Sequence, residues 1–203
     1  MANQSQPTES PRQRRAARTR EAIIDAARSI ITEQGAYNLS LREVARRIDY
    51  SPAGLYEYFS GKDELIMAVI QDGFTRFGQY LLSVPADLPA DAYLLEIGLA
   101  YIRFAKQNPE HFMLIFNTKD LYKPQSQEHL IASETFKVLL VGVERNIEVG
   151  HIAKHHDHEE VAYGLWSLVH GMATLYITQL EDFDRDWEAA TERMLRTFTS
   201  GLQ

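Results

Sequence analysis

Between Ser40 and Phe59 the chain reads SLREVARRIDYSPAGLYEYF, two short apolar-periodic runs broken by Asp49-Tyr50-Ser51-Pro52. A helix of about two turns does not hold itself together in water. Each run must therefore pack on the other and on a further element. Leu41, Val44, Ala45 and Ile48 recur at helical spacing, and Leu55 and Phe59 supply the facing seam. Ser40-Leu41-Arg42-Glu43 fits a capping box, with Ser at the N-cap and Glu at N3. Ser51 caps the next helix, and Pro52 at N1 lacks an N–H that the helix would not use there. That helix is expected over about Pro52–Tyr58. Its other face is small and polar, which leaves it for a partner.

The rest of the chain reads as helices too. Residues 1–15 are polar, hold Pro7 and Pro11, and are expected to form a disordered basic arm. A first helix is expected over about Arg18–Gln34, with Ile23, Ala26, Ala27, Ile30 and Ile31 as its stripe and Gly35 as its stop. A fourth runs from about Lys62 toward Val84, with Leu65, Val69, Phe74, Phe77 and Leu81 on its buried side. Pro85 and Pro89 separate it from helices near Ala90–Lys106, Pro109–Phe116, Gln127–Val149, His158–Gln179 and Asp184–Leu202. No strand alternation and no repeat stand out. The fold class is all-α, with about nine helices.

Composition narrows the function. The 203 residues include no Cys, which excludes disulfides and thiol chemistry. The first fifteen residues have no apolar core of a secretory signal. No apolar run approaches the roughly 18 residues of a membrane span, so a cytoplasmic location and no membrane partner are expected. The net charge of −7 is unevenly spread. Residues 1–62 hold 10 basic and 7 acidic side chains, or +3, and the remainder 11 and 21, or −10. A polyanion would meet the first part and be repelled by the rest.

A long helix followed by two short ones joined by about four residues is the helix-turn-helix plan, in which the second short helix enters the DNA major groove. Ser51, Pro52, Ala53 and Gly54 open that helix, and their small size lets backbone approach bases and phosphates. Tyr56 and Tyr58 can donate hydroxyls to phosphate, Lys62 adds a charge, and Arg18 and Arg20 continue the basic arm. Arg42 can reach a phosphate or a guanine edge.

The segment from about Thr19 to Val69 resembles the DNA-binding domain of the tetracycline-repressor family. The matching residues are Ala26-Ala27, Gly35, Ser40-Leu41-Arg42-Glu43-Val44-Ala45, Ser51 to Phe59, and Lys62-Asp63-Glu64-Leu65. Leu55-Tyr56-x-Tyr58-Phe59-x-x-Lys62 is the most specific part. The resemblance implies a homodimeric transcription regulator, usually a repressor, released from operator DNA by a small molecule held in the C-terminal domain. By position it puts Arg42, Pro52, Ala53, Gly54, Tyr56, Tyr58 and Lys62 at DNA. Two departures stand in the interhelix turn: Asp49 replaces the usual Gly, and Tyr50 a small aliphatic. Asp tolerates the left-handed conformation better than most residues, so the turn is expected to survive with some strain. Tyr50 is a candidate further phosphate contact.

In the C-terminal half, Ala100 to Ala105, Asn108 to Phe112 with Phe116, and Leu165 to Gly171 resemble the Trp-His-Gly subtype of that family. The resemblance implies a regulatory domain whose last two helices pair across a dimer axis. The expected organisation is thus an arm at 1–15, a helix-turn-helix domain at 16–62 and a ligand-binding and dimerisation domain at 63–203. The His158–Gln179 helix is apolar on two faces, which suits a subunit core on one side and a second copy on the other. Such pairing sets two recognition helices about 34 Å apart, one turn of DNA. A ligand cavity is expected among the fourth to eighth helices. Its candidate lining is Phe77, Tyr101, Phe104 and Met113, with Phe116, Tyr163, Trp166 and His170. Few charges fall there, which favours a neutral or amphipathic, hydrophobic ligand.

The stretch from His151 to Glu160 offers imidazole and carboxylate groups suited to zinc or nickel. Asp157 with Glu160 instead fits a cap for the eighth helix, leaving the histidines on a solvated loop. No metal and no cofactor are expected. No nucleophile elbow, phosphate loop or His-Glu-x-x-His helix is present, so no enzyme is expected. The reading is a ligand-responsive regulator, most simply a repressor, that binds a palindromic operator as a homodimer. The alternative is an architectural or nucleoid-associated DNA-binding factor without an effector.

Overall fold

The computed structural model describes residues 10–117, 133–180 and 182–203. The described residues contain nine α-helices and no strand: α1 Pro11–Gln34, α2 Leu41–Arg47, α3 Pro52–Leu55, α4 Lys62–Leu82, α5 Ala90–Gln107, α6 Pro109–Asn117, α7 Glu134–Glu148, α8 His158–Leu175 and α9 Trp187–Ser200. The expected all-α fold is therefore observed. The residues from 127 to 132, expected to begin the seventh helix, lie outside the described residues, as do residues 1–9 of the arm. The chain divides into two compact units at Asp72/Gly73, beyond the expected boundary at 62/63.

The first helix begins earlier than expected. Residues 11–15, read as disordered, are helical, because Ser10-Pro11-Arg12-Gln13 is itself a start signal. The Ser10 hydroxyl accepts from the Gln13 N–H at 3.3 Å, and the Gln13 side-chain Oε1 accepts from the Ser10 N–H at 2.8 Å. Pro11 sits at N1. The first buried residue of α1 is Ile23, so its opening three turns are solvated. The helix stops at Gly35 (φ 81°, ψ 155°), whose N–H bonds to the Ile31 carbonyl at 2.8 Å. That is the extended positive-φ region, essentially open only to glycine.

Within the first unit α1 packs on α2 and α2 on α3. Ile23, Ala27, Ile30 and Val44 are fully or almost fully buried, with Leu55, Phe59, Leu65 and Val69. Fully burying one such side chain contributes about 1.5–3 kcal/mol, which is what holds two helices too short to stand alone.

In the second unit α5 is the central element, packing on α6, α7, α8 and α9. Tyr93, Leu94, Ile97, Tyr101, Phe104 and Ala105 line its buried surface. Gly98 marks its closest approach to a neighbour: a Cβ there would lie 2.5 Å from Leu195 Cδ1 of α9 and 3.4 Å from Val169 Cγ1 of α8. Asp157 caps α8 through hydrogen bonds from the Glu159 and Glu160 N–H groups, at 2.9 and 3.0 Å, as expected. Beyond Leu175 the helix continues as a π-helical turn, Tyr176–Leu180. No helix among the described residues is long and apolar enough to cross a membrane.

Candidate functional site

The two short helices are joined by a turn that Asp49 makes possible. Asp49 adopts φ 52°, the single positive φ at a non-glycine residue among the described residues. The Tyr50 N–H then folds back onto the Ala45 carbonyl at 2.9 Å, closing α2 with a Schellman-type bond. The expected capping box at Ser40 forms only by half. Ser40 Oγ accepts from the Glu43 N–H at 3.2 Å. The Glu43 carboxylate turns instead to Arg46, taking two hydrogen bonds at 2.8 and 2.6 Å. Arg47 pairs with Glu33, tying α2 to the end of α1. These pairs hold the Glu33 and Glu43 carboxyls below their ordinary range, through hydrogen bonds from Arg47 and Arg46 respectively. They also remove Arg46 and Arg47 from the free positive surface.

Helix α3 is shorter than expected. Ser51 caps it by accepting from the Gly54 N–H at 3.0 Å. After Leu55 the bonds tighten to the i→i−3 kind, from Glu57 to Gly54 and from Tyr58 to Leu55. Leu55 and Phe59 face inward at 0% and 1% exposure, whereas Ser51, Pro52, Ala53 and Tyr56 face solvent, Tyr56 at 62%. Arg42 is exposed one helix away and forms no ion pair among the described residues.

Other predicted residues are already engaged. Lys62 Nζ donates to the Tyr37 carbonyl at 2.6 Å and sits 5.4 Å from the centre of its ring. The Arg20 guanidinium lies 5.1 Å from the centre of the Phe59 ring. Arg18 is exposed on the solvated start of α1. Tyr58 is half-buried, edge-on to Tyr50 with ring centroids 6.4 Å apart. A hydrogen bond with Tyr58 raises the Tyr50 hydroxyl above its ordinary pKa. Gly54 is small for a local reason: a Cβ would stand 2.6 Å from Tyr50 Cε1 and 2.9 Å from Ser51 Oγ. Sequence reasoning missed Tyr37, which is 93% exposed beside Lys62. Its signal was a large aromatic residue in the short Gly35–Leu39 connection, two positions before Leu39, the residue of that connection that enters the core.

In the second unit the predicted pocket residues converge. Phe77, Tyr101 and Phe104 are buried in one apolar cluster, and Met113, Phe116, Tyr163 and Trp166 pack half-buried against it. His170 joins through ring contacts to Phe112, Phe116 and Trp166, with centroids 5.2–6.2 Å apart. A polar chain runs through this apolar set. The Trp166 indole N–H donates to the Tyr101 oxygen at 3.3 Å, and the Tyr101 hydroxyl lies 2.8 Å from His170 Nδ1. Burial pushes the Tyr101 hydroxyl far above its ordinary pKa and the His170 imidazole below its own. A separate cleft of about 350 Å³ opens between α5, α7 and α9, lined by Asp91, Asn146, His151, Arg196 and Gln203 among others. None of the predicted pocket residues borders it. No group of three His, Asp or Glu side chains among the described residues could hold a metal ion.

The chain matches a model of the N-terminal domain of bacterial regulatory proteins of the tetR family over residues 23–69. It also matches a tetracyclin repressor-like C-terminal domain over residues 94–198. It is 25% identical over 184 residues to the uncharacterized HTH-type transcriptional regulator YobS of Bacillus subtilis, covering 91% of this chain and 92% of that one. The crystal structure of SCO4313, at 26% identity and a TM-score of 0.71, covers 93% of this chain and 98% of its own. A tetR-family regulatory protein from Rhodococcus RHA1 shares the fold at 21% identity and a TM-score of 0.71, over 90% of this chain and 96% of its own. With two short helices joined by a tight turn in the first unit and a C-terminal family model that spans more than half of the chain, the chain belongs to the tetracycline-repressor family of DNA-binding transcriptional regulators.

Proposed function

We propose that the protein is a ligand-responsive repressor that binds a palindromic operator as a homodimer in the cytoplasm. The observation that carries this reading is the two-sided build of α3. Leu55 and Phe59 anchor it inward, while Ser51, Pro52, Ala53 and Tyr56 stand outward with no role in the unit's own core. Backbone at Ser51–Gly54 and the exposed Arg42 read base edges; Tyr56, Tyr58 and Lys62 hold phosphates, and Arg18 and Arg20 extend the contact along the duplex. Pairing of two chains is supported by apolar surface a single chain leaves open on α8 and α9. Leu168, Met172, Met194 and Phe198 are half-buried there, and Leu175 is 49% exposed.

A ligand in the second unit favours the conformation whose recognition helices no longer match successive grooves, which requires different affinities for the two states. The test is selection of duplexes from a random pool, followed by native mass spectrometry of the complex. The expected result is a two-fold symmetric consensus, two chains on each duplex, and a preference over bulk DNA of about 10³ or more. Binding without sequence preference would replace this reading with an architectural role.

A further inference from the structure

Helix α8 carries two polar groups that the protein leaves unsatisfied. His170 Nδ1 is occupied by the Tyr101 hydroxyl at 2.8 Å, whose oxygen already accepts from the Trp166 N–H. The simplest complete bookkeeping has Tyr101 donating to Nδ1, which puts the imidazole proton on Nε2. Nε2–H, on the other edge of the ring, has no partner among the described residues. One helical turn on, Thr174 Oγ1 is buried with no hydrogen-bond partner. Residues four apart share a helix face. Two hydrogen-bond donors therefore lie on one helix face, a turn apart, and the ring of Phe116 lies edge-on to His170 at 5.2 Å. Buried unsatisfied groups are rare in native proteins and call for a physical reason.

We infer that His170 and Thr174 are the polar end of an effector subsite that takes an uncharged, mainly aromatic molecule through a carbonyl oxygen. This rests on the ligand-responsive reading above. A carbonyl oxygen has two lone pairs and can accept from both donors, while the flat body lies against the aromatic rings. An ammonium group offers the imidazole N–H no acceptor, and held by the Thr174 oxygen alone it would be a buried charge without a counter-charge. A carboxylate would need a counter-charge, and burial holds His170 toward its neutral form. Tyr101 is a positioning residue: it fixes which imidazole nitrogen carries the proton.

The test uses the full chain with four single-ring probes: acetophenone, ethylbenzene, benzoate and benzylammonium. Dissociation constants are measured by calorimetry, and the His170 side-chain N–H is followed by ¹⁵N NMR. Acetophenone is expected to bind about tenfold or more tighter than each of the others, as one buried hydrogen bond allows, and to shift the His170 Nε2–H resonance. Thr174→Val should bring acetophenone and ethylbenzene within about threefold of each other while raising the Tm of the unliganded chain by about 2–4 °C. His170→Phe should abolish the same preference. Equal binding of ketone and hydrocarbon, a preference that survives Thr174→Val, or acetophenone binding that leaves His170 unmoved would each overturn the subsite. No acetophenone binding at about 10 mM, far weaker than an effector requires, would overturn it too. The effector reading itself stands or falls separately, on whether native mass spectrometry of the purified protein shows a retained small molecule that releases DNA.

Discussion

Replacing Asp49 by glycine should stabilise the protein, and by an amount its backbone sets. Asp49 holds φ 52°, and the Tyr50 N–H bond to Ala45 at 2.9 Å depends on it. An L-residue in this region costs roughly 1–2 kcal/mol relative to glycine, with Asp at the low end because its short side chain can bond locally. Glycine returns about 0.4–1 kcal/mol through the greater freedom of the unfolded chain. The difference leaves a net gain of about 0.5 kcal/mol for Asp49→Gly. Asp49→Ala keeps the Cβ and loses the local hydrogen bonding, so it should destabilise by about 0.5–1 kcal/mol. The informative quantity is the gap between the two variants, about 1–1.5 kcal/mol, or roughly 2–6 °C in Tm for a chain of this size. Urea unfolding followed by circular dichroism reads it as a change in midpoint with the slope preserved. The Gly variant should also bind duplex more tightly, because a negative charge leaves the turn beside the proposed DNA face. Equal midpoints for the Gly and Ala variants would show that Asp49 is not held in the left-handed region, and the placing of α3 by this turn would be refuted.

Gly98→Ala would put a methyl 2.5 Å from Leu195 Cδ1. Overpacking of about 1–3 kcal/mol should outweigh the roughly 1 kcal/mol gained in helix propensity, whereas in a Leu195→Ala background the same change should stabilise; denaturant midpoints of the four chains decide it. Lys62→Ala should weaken binding to all duplexes alike and lower the slope of log K against log salt by about one; a loss confined to one sequence would reassign Lys62 from phosphate to base. Burial lowers the His170 pKa below 6.5, so on acidification the unfolded chain takes up that proton first. The stabilisation is complete above pH 6.5 and declines below it, so His170→Gln should lose less stability than the wild type between pH 7.5 and 5.5; identical losses would refute this.

The sequence was most legible where a residue type is chosen by local geometry. Ser51 and Pro52 announce α3, Gly35 ends α1, and Asp157 opens α8, each by a hydrogen bond or a dihedral that the neighbours alone determine. Burial followed helical spacing at Ile23, Ala27, Val44, Leu65 and Val69. The start of α1 was hidden because its opening turns carry no apolar stripe, so periodicity is silent there; Ser10 and Gln13 held the signal instead. The end of α3 was misplaced because the tightening after Leu55 leaves the side-chain pattern unchanged. At the site, Lys62 looked free in one dimension, and its engagement with Tyr37 comes from side-chain reach that spacing does not encode. The pairing of Tyr101 with His170 joins positions 69 residues apart, beyond any local pattern.

Trp166 has an optical consequence. The chain has two indoles, Trp166 and Trp187. One donates its N–H to Tyr101 and lies 6.2 Å from the His170 ring, while the other is buried with its N–H unbonded. Imidazolium is an efficient quencher of indole emission and neutral imidazole a poor one. With Trp187 replaced by Phe, the remaining fluorophore becomes an unlabelled gauge of the protonation and occupancy of its neighbour, readable in a cuvette while the chain is still on its duplex.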